Sequence, residues 1–262
     1  MTEPLFMTER RRTILAALQE QGRVSVSELS QRLQVSAVTI RQDLRALEEE
    51  RLLERTHGGA IMPRKRPAAP ELTFEVRQRE RRDVKDALAR AAARCIQSGS
   101  TVALDSSTTI FAMLPYIREI PRLIVVTHSI AISQALLDAP QIQVIMPGGV
   151  LRRDSIALVG SPQNLPDIHI NDGFFSAHGM TIETGATESS QEEATMKRAL
   201  MSRCIRVHYL LDDVKWGRVA PFTLAQPSEI DRLFTTPRLP REAVEHLRRH
   251  NVEVERVAVT SE

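Results

Sequence analysis

Three side chains able to make paired hydrogen bonds, Arg41, Gln42 and Arg45, cluster beside Val38. At about 100° per residue on a helix these four fall on one side. Ile40, Leu44, Leu47 and Arg51 fall on the other. Arginine grips guanine O6 and N7, and glutamine grips adenine N6 and N7, each through two bonds. A helix that packs through Ile40, Leu44 and Leu47 and shows those side chains outward is chemically suited to a DNA major groove. The same pattern also describes an ordinary solvated helix face, so the flanking elements must decide between the two.

Those elements favour DNA. Ser36 is the expected N-cap of a helix from Ala37 to about Glu50, which places Ser36 and Thr39 in its first turn. A helix with Leu29 and Leu33 at buried spacing comes before it, with Ser27 as the expected cap. An earlier helix runs from Arg12 to about Gln19 and carries Ile14, Leu15 and Leu18, and Val24-Ser25-Val26 leads out of it. After the candidate reading helix, Leu52–Ala60 reads as two short strands turning at Gly58-Gly59, with Arg55 and His57 placed to touch the DNA backbone. Three helices and a two-stranded wing make a winged helix-turn-helix.

A second set of chemically capable residues follows short apolar runs further along. Asp105-Ser106-Ser107-Thr108-Thr109 follows TVAL, and Thr127-His128 closes LIVVT. Gly148-Gly149 with Arg152 follows IQVIM, and Asp212 with Lys215 follows IRVHYLL. Alternating apolar runs and helical segments predict parallel strands with crossover helices, an α/β domain. Ligands in such sheets sit outside the carboxyl ends of the strands. Backbone amides with serine and threonine hydroxyls can cradle a phosphate, Asp105 can take sugar hydroxyls, and Lys215 or Arg152 can neutralise a phosphate. Together they suit a small phosphorylated polyol. The alternative is that Ser106, Ser107 and Thr108 simply cap a helix. Glu193 and Lys197 stand four apart on a predicted helix, where a surface ion pair is the default.

Between the two sets lies Pro63-Arg64-Lys65-Arg66-Pro67-Ala68-Ala69-Pro70, whose prolines favour extended chain. The expected organisation is a DNA-binding domain over 1–62, a linker over 63–82 and an effector domain over 83–262. The charged stretch Glu71–Arg82 turns helical toward its end.

The run from Val35 to Ala60, with Ser36, Thr39-Ile40-Arg41, Asp43-Leu44, Leu47 and His57-Gly58-Gly59-Ala60, closely resembles the DNA-binding domain of the DeoR family of bacterial transcriptional regulators. The family usually carries two consecutive arginines where this chain has Arg41-Gln42, which implies an altered operator preference. Residues from about Asp83 to Pro237 resemble the same family's effector-sensing domain, a Rossmann-like parallel-sheet fold similar to ribose-5-phosphate isomerase. Matching positions include Asp105, Thr108-Thr109, Thr127, Gly148-Gly149, Arg152, Glu193, Lys197, Asp212 and Lys215. For Glu193 and Lys197 the match implies an internal or pocket-facing role. Here His128 stands where the family usually has Asn, and Ser176-Ala177-His178-Gly179 replaces its commoner Gly-Ala-Asn/Asp-Gly. His128 and His178 thereby either line a pocket for an unusual effector or are satisfied histidines without a ligand.

Composition sets the outer limits. The 262 residues leave room for two domains, and no apolar run of membrane-spanning length occurs. The start MTEPLFMTERRR lacks the apolar stretch of a signal peptide. Cys95 and Cys204 lack metal-ligand spacing and read as reduced core residues of a cytoplasmic protein. A formal charge of +2 does not itself argue for nucleic acid. Residues 1–66 do hold 12 basic against 9 acidic side chains, so the excess sits with the reading helix. The expectation is a transcriptional repressor, not an enzyme, with no cofactor and no metal. It binds double-stranded operator DNA as a homodimer or tetramer and responds to a phosphorylated sugar or related metabolite. The alternatives are a sugar-phosphate isomerase-like or transferase enzyme with a fused DNA-binding head, and a DNA-binding protein whose second domain only oligomerises.

Overall fold

The computed structural model describes residues 7–21, 23–49, 53–56, 58–61 and 73–259. Two compact units divide the chain, Met1–Leu72 and Thr73–Glu262.

In the first unit, α1 (Met7–Gln21) begins earlier than its apolar spacing predicts and leads into β1 (Arg23–Ser25). Helix α2 (Val26–Leu33) is capped by Ser25 and not by Ser27. The Ser25 hydroxyl accepts from the Glu28 amide at 3.2 Å and donates to its carboxylate at 2.8 Å, so Ser25 and Glu28 close the helix end reciprocally. Helix α3 (Ala37–Glu49) follows a turn in which the Ser30 hydroxyl donates to the Val35 carbonyl. Ser36 caps it, accepting from the Thr39 amide at 3.1 Å. Strands β2 (Glu54–Thr56) and β3 (Gly59–Ile61) form the wing, and β3 also pairs with β1, giving a three-stranded antiparallel sheet. A Cβ on Gly59 would lie 1.9 Å from the Val24 carbonyl oxygen, so only glycine lets these strands approach as they do. Ile14, Leu18, Leu29, Leu33, Ile40, Leu44, Leu47 and Leu53 make the core of this unit.

The second unit opens with α4 (Phe74–Arg79) and α5 (Arg82–Ala93). Residues 74–82, expected within the linker, belong to this unit. Phe74 is buried there and meets Phe111 edge to face. Then come β4 (Thr101–Leu104), α6 (Thr108–Phe111), α7 (Leu114–Ile117), β5 (Leu123–Thr127), α8 (Ile130–Ala135) and β6 (Ile142–Ile145). The single helix expected after β4 is two short ones, with Pro115 in the first turn of α7, where its missing N–H is tolerated. A hairpin of β7 (Val150–Arg152) and β8 (Ala157–Val159) leads to β9 (Ile170–Phe175), β10 (Gly179–Thr181), β11 (Gly185–Glu188) and α9 (Gln191–Met201). The chain closes with β12 (Cys204–Leu211), β13 (Phe222–Ala225), β14 (Arg232–Thr235), α10 (Arg241–Arg249) and β15 (Glu253–Arg256).

Seven of these strands form a parallel sheet in the order β15-β14-β12-β9-β4-β5-β6. Helices cover both faces. Side chains of α5 to α8 join Val102, Leu104 and Val125 on one face, and those of α9 and α10 join Ala103, Val126 and Tyr209 on the other. After β4 the chain winds outward through β5 and β6, then returns to place β9 on the other flank of β4. The boundary between β4 and β9 is therefore where the winding direction reverses, the place such sheets use for ligands. Strands β10, β11 and β13 make a separate three-stranded antiparallel sheet. Among the described residues no helix is long and apolar enough to cross a membrane.

Candidate functional site

The face of α3 is as its spacing predicts. Ile40, Leu44 and Leu47 are at most 2% exposed, whereas Val38 is 60% exposed and Arg41, Gln42 and Arg45 all face outward. Ser36 and Thr39 join hydroxyl to hydroxyl at 2.9 Å in the first turn. Arg55 is bound to the far end of the same helix: its amide donates to Glu48 Oε1 at 3.1 Å and its guanidinium stands 3.6 Å from Oε2. The Gly58 carbonyl accepts from the Val26 amide at 2.8 Å, linking the wing tip to α2. His57 and Arg51 lie outside the described residues.

The second site assembles at the β4–β9 boundary. Asp105, the first residue beyond β4, is fully buried. Its Oδ1 accepts from the Ser107 amide and its Oδ2 from the Ser176 amide, both at 2.8 Å, so it ties the ends of β4 and β9 together. Lys197 of α9 reaches the same carboxylate at 3.2 Å and Glu188 Oε2 at 2.6 Å. Burial alone would push the Lys197 pKa down, but Asp105, Glu188 and Glu193 together carry it above the ordinary lysine value. Burial likewise opposes the ionised forms of Asp105 and Glu188, and Lys197 reverses the balance and holds both below the usual carboxylate range. The default surface pair between Glu193 and Lys197 does not form, because α9 turns both inward.

Lys215 contributes a different kind of cation. Its ammonium donates to the Ala177 carbonyl at 2.7 Å and the Ser176 hydroxyl at 3.1 Å, and no described carboxylate lies within ion-pair distance. Burial, then the charge of Lys197, pushes its pKa down to about 8. Glu193 is pushed up by burial, with Arg152 Nε 3.5 Å from its Oε1. Arg152 also holds Asp154 at 2.5 Å and the Ser190 hydroxyl at 3.0 Å.

His128 faces this cluster. Register pairing of Leu104 with Thr127 makes Asp105 and His128 the next residues out on neighbouring strands. The ring is fully buried, neither nitrogen has a partner, and burial pushes its pKa down to about 4, so it is neutral at pH 7. The hydroxyls of Ser106 and Thr109 are likewise buried without a partner.

Other expected site residues serve the backbone. Ser107 caps α6 through the Ile110 amide at 3.3 Å, as the capping alternative has it. Thr127 donates to the Leu104 carbonyl at 2.7 Å and accepts from the Ser129 amide. Thr108 is buried at the start of α6. Gly149 permits close strand approach, since a Cβ would meet the Val159 carbonyl oxygen at 2.5 Å, and the Gly148 carbonyl is taken by Asn164. Asp212 caps the turn that presents Lys215, and its other oxygen is 2.7 Å from Arg81 Nε. It is thus a support of the site and not a free acceptor. His178 is exposed on the turn between β9 and β10. Glu188 and Arg81 went unread in the sequence. Glu188 is brought in by the pairing of β11 with β13, where it stands opposite Phe222, and no apolar pattern announces that pairing.

Comparison with known proteins agrees with both halves. The family description "DeoR-like helix-turn-helix domain" matches residues 10–66, and "DeoR C terminal sensor domain" matches residues 80–236. The putative aga operon transcriptional repressor of Escherichia coli O157:H7 is 31% identical over 249 residues, covering 94% of this chain and 93% of that protein. The HTH-type transcriptional regulator GolR of Listeria innocua is 33% identical over 233 residues, covering 88% and 91%. Among solved structures, ribose 5-phosphate isomerase A from Methanocaldococcus jannaschii is 13% identical with a TM-score of 0.40, covering 52% of this chain and 54% of that one. With a helix-turn-helix model over residues 10–66, a sensor-domain model over 80–236 and a relative aligned along 94% of its length, the chain belongs to the DeoR family of transcriptional regulators.

Proposed function

We propose that the protein represses a carbohydrate operon and is controlled by a phosphorylated sugar or related metabolite. Helix α3 enters the major groove, where Arg41, Gln42 and Arg45 read base edges and Val38 makes apolar contact. Ser36, Thr39, Arg55, His57 and Gly58 contact the flanking backbone, which supplies most of the affinity and makes it fall with salt. One winged helix covers a half-site, so the working species is a homodimer or tetramer acting in the cytoplasm.

One observation carries the effector half. At the reversal between β4 and β9, three buried side chains, Ser106, Thr109 and His128, have polar atoms without partners, beside a cation, Lys215, without a carboxylate. Buried polar groups are nearly always bonded, so such a cluster suits a ligand rich in hydroxyls. Lys215 suits its phosphate. The names of the relatives, a putative aga operon repressor among them, support regulation over turnover.

The test is a thermal-shift screen of the full chain against sugar phosphates, sugar acids and polyols, followed by mobility shift on a duplex that the chain selects from a random pool. The expected result is one strong stabiliser that also changes operator affinity. A stabiliser that leaves DNA binding untouched would overturn the regulatory reading. No stabiliser across the panel would overturn the phosphorylated effector.

A further inference from the structure

A buried carboxylate lies on the reading helix outside both the apolar seam and the outward face. Asp43 is 2% exposed and sits about 60° around α3 from the seam of Ile40, Leu44 and Leu47. Two consecutive arginines of α1 converge on it. Arg10 grips it with a fork, Nε to Oδ2 at 2.6 Å and Nη2 to Oδ1 at 3.3 Å, and Arg11 Nε reaches Oδ1 at 3.2 Å. The arginine side chains are only 12% and 25% exposed, so these bonds are shielded from water and ions.

This arrangement does something the apolar seam cannot. Contact among Ile40, Leu44, Leu47 and the α1 side chains is non-directional, and a small roll of α3 about its own axis keeps most of it. A forked guanidinium–carboxylate pair is directional and tolerates only a few tenths of an ångström. At a side-chain radius of about 5–6 Å, a roll of 10° moves surface atoms by about 1 Å. That is enough to take Arg41, Gln42 and Arg45 out of bidentate register with base edges.

We infer that Asp43 is the positioning residue for base reading: with Arg10 and Arg11 it sets the roll of α3. The inference rests on the assignment of α3 as the reading helix. Its signature is loss of discrimination without loss of DNA binding, which a merely structural residue would not give.

The test uses the full chain, a duplex that the wild-type protein selects from a random pool, and a scrambled duplex of equal length and composition. Asp43→Asn preserves shape and removes the charge. The expected result is a folded protein whose preference for the selected duplex falls by at least about tenfold, the scale of one misplaced bidentate contact. Affinity for the scrambled duplex is expected to hold within about twofold, because phosphate contacts do not depend on the roll of α3. A folded variant with its preference within twofold of wild type would overturn the inference, as would equal losses on both duplexes. If Asp43→Asn does not fold, the double variant Arg10→Lys, Arg11→Lys keeps the charges and loses the fork. Reduced preference with an unchanged salt dependence then supports the inference, and unchanged preference overturns it. A wild-type chain that selects no duplex removes the reading-helix assignment itself, and the inference with it.

Discussion

Replacing His128 by asparagine should make the sensor unit less sensitive to acid. The imidazole is fully buried, and burial lowers its pKa from 6.5 to about 4. Between those values the unfolded chain binds a proton that the folded chain refuses, so stability is present above pH 6.5 and drains away as pH falls toward 4. Between pH 7 and pH 5 the loss from this one residue is about 2 kcal/mol, and over the full shift about 3 kcal/mol. Asparagine does not titrate and keeps a donor and an acceptor. Trp216, the only tryptophan, lies in the second unit, so its fluorescence during urea unfolding follows that unit. The wild type should lose about 2 kcal/mol more than His128→Asn on going from pH 7 to pH 5. Equal losses in the two proteins would refute a neutral, unpartnered His128.

Burial and Lys197 push the Lys215 pKa down to about 8, and an anionic effector seated beside it, as proposed, would raise that value. Affinity for the stabilising compound should therefore fall as pH rises from about 8 to 10, and Lys215→Met should abolish both the pH dependence and most of the stabilisation in a thermal-shift titration. Arg41→Ala and Arg45→Ala should each weaken binding to the selected duplex by about 1–3 kcal/mol while the protein stays folded. Gln42→Arg should raise affinity and steepen the salt dependence by about one contact, read by fluorescence anisotropy across a salt series. Gly59→Ala forces a Cβ against the Val24 backbone and should destabilise the first unit by more than about 3 kcal/mol, seen as faster amide exchange in α1 to α3.

Helix α3 and its outward face are legible because their signals are local. Ile40, Leu44 and Leu47 repeat at helical spacing, and Ser36 marks the start. Ser25 and Glu28 carry the same kind of local signal, and in sequence alone Ser27, closer to Leu29, competes with Ser25 for the cap. In the second unit, LIVVT and IRVHYLL announce central strands through continuous apolar runs. RLFT and EVER do not: β15 is an edge strand whose alternating charges look like surface. The side-chain cluster at the β4–β9 boundary is half legible in the sequence. Strand ends pointed to Asp105, His128 and Lys215, but whether a hydroxyl serves the backbone or a ligand depends on partners remote in sequence. Thr127 is engaged by Leu104 and Thr109 is not, and nothing in their neighbouring residues distinguishes them. For Lys197, helical spacing named Glu193 as partner, whereas the fold delivered Asp105 and Glu188 from two other strands.

The unpartnered atoms of Ser106, Thr109 and His128 also bear on how such a protein changes over generations. Each buried group left without a bond costs about 1–3 kcal/mol, so this unit folds less firmly than its packing allows. On the proposed role, valine at Thr109 removes the orphaned hydroxyl with little change of size, and would stabilise the fold while blunting the response. Most random changes weaken a fold, whereas such a change would strengthen it. Selection for folding alone would then erode this cluster, and selection on the response would retain it. A laboratory lineage evolved for heat resistance without an effector challenge should lose its sensor here first.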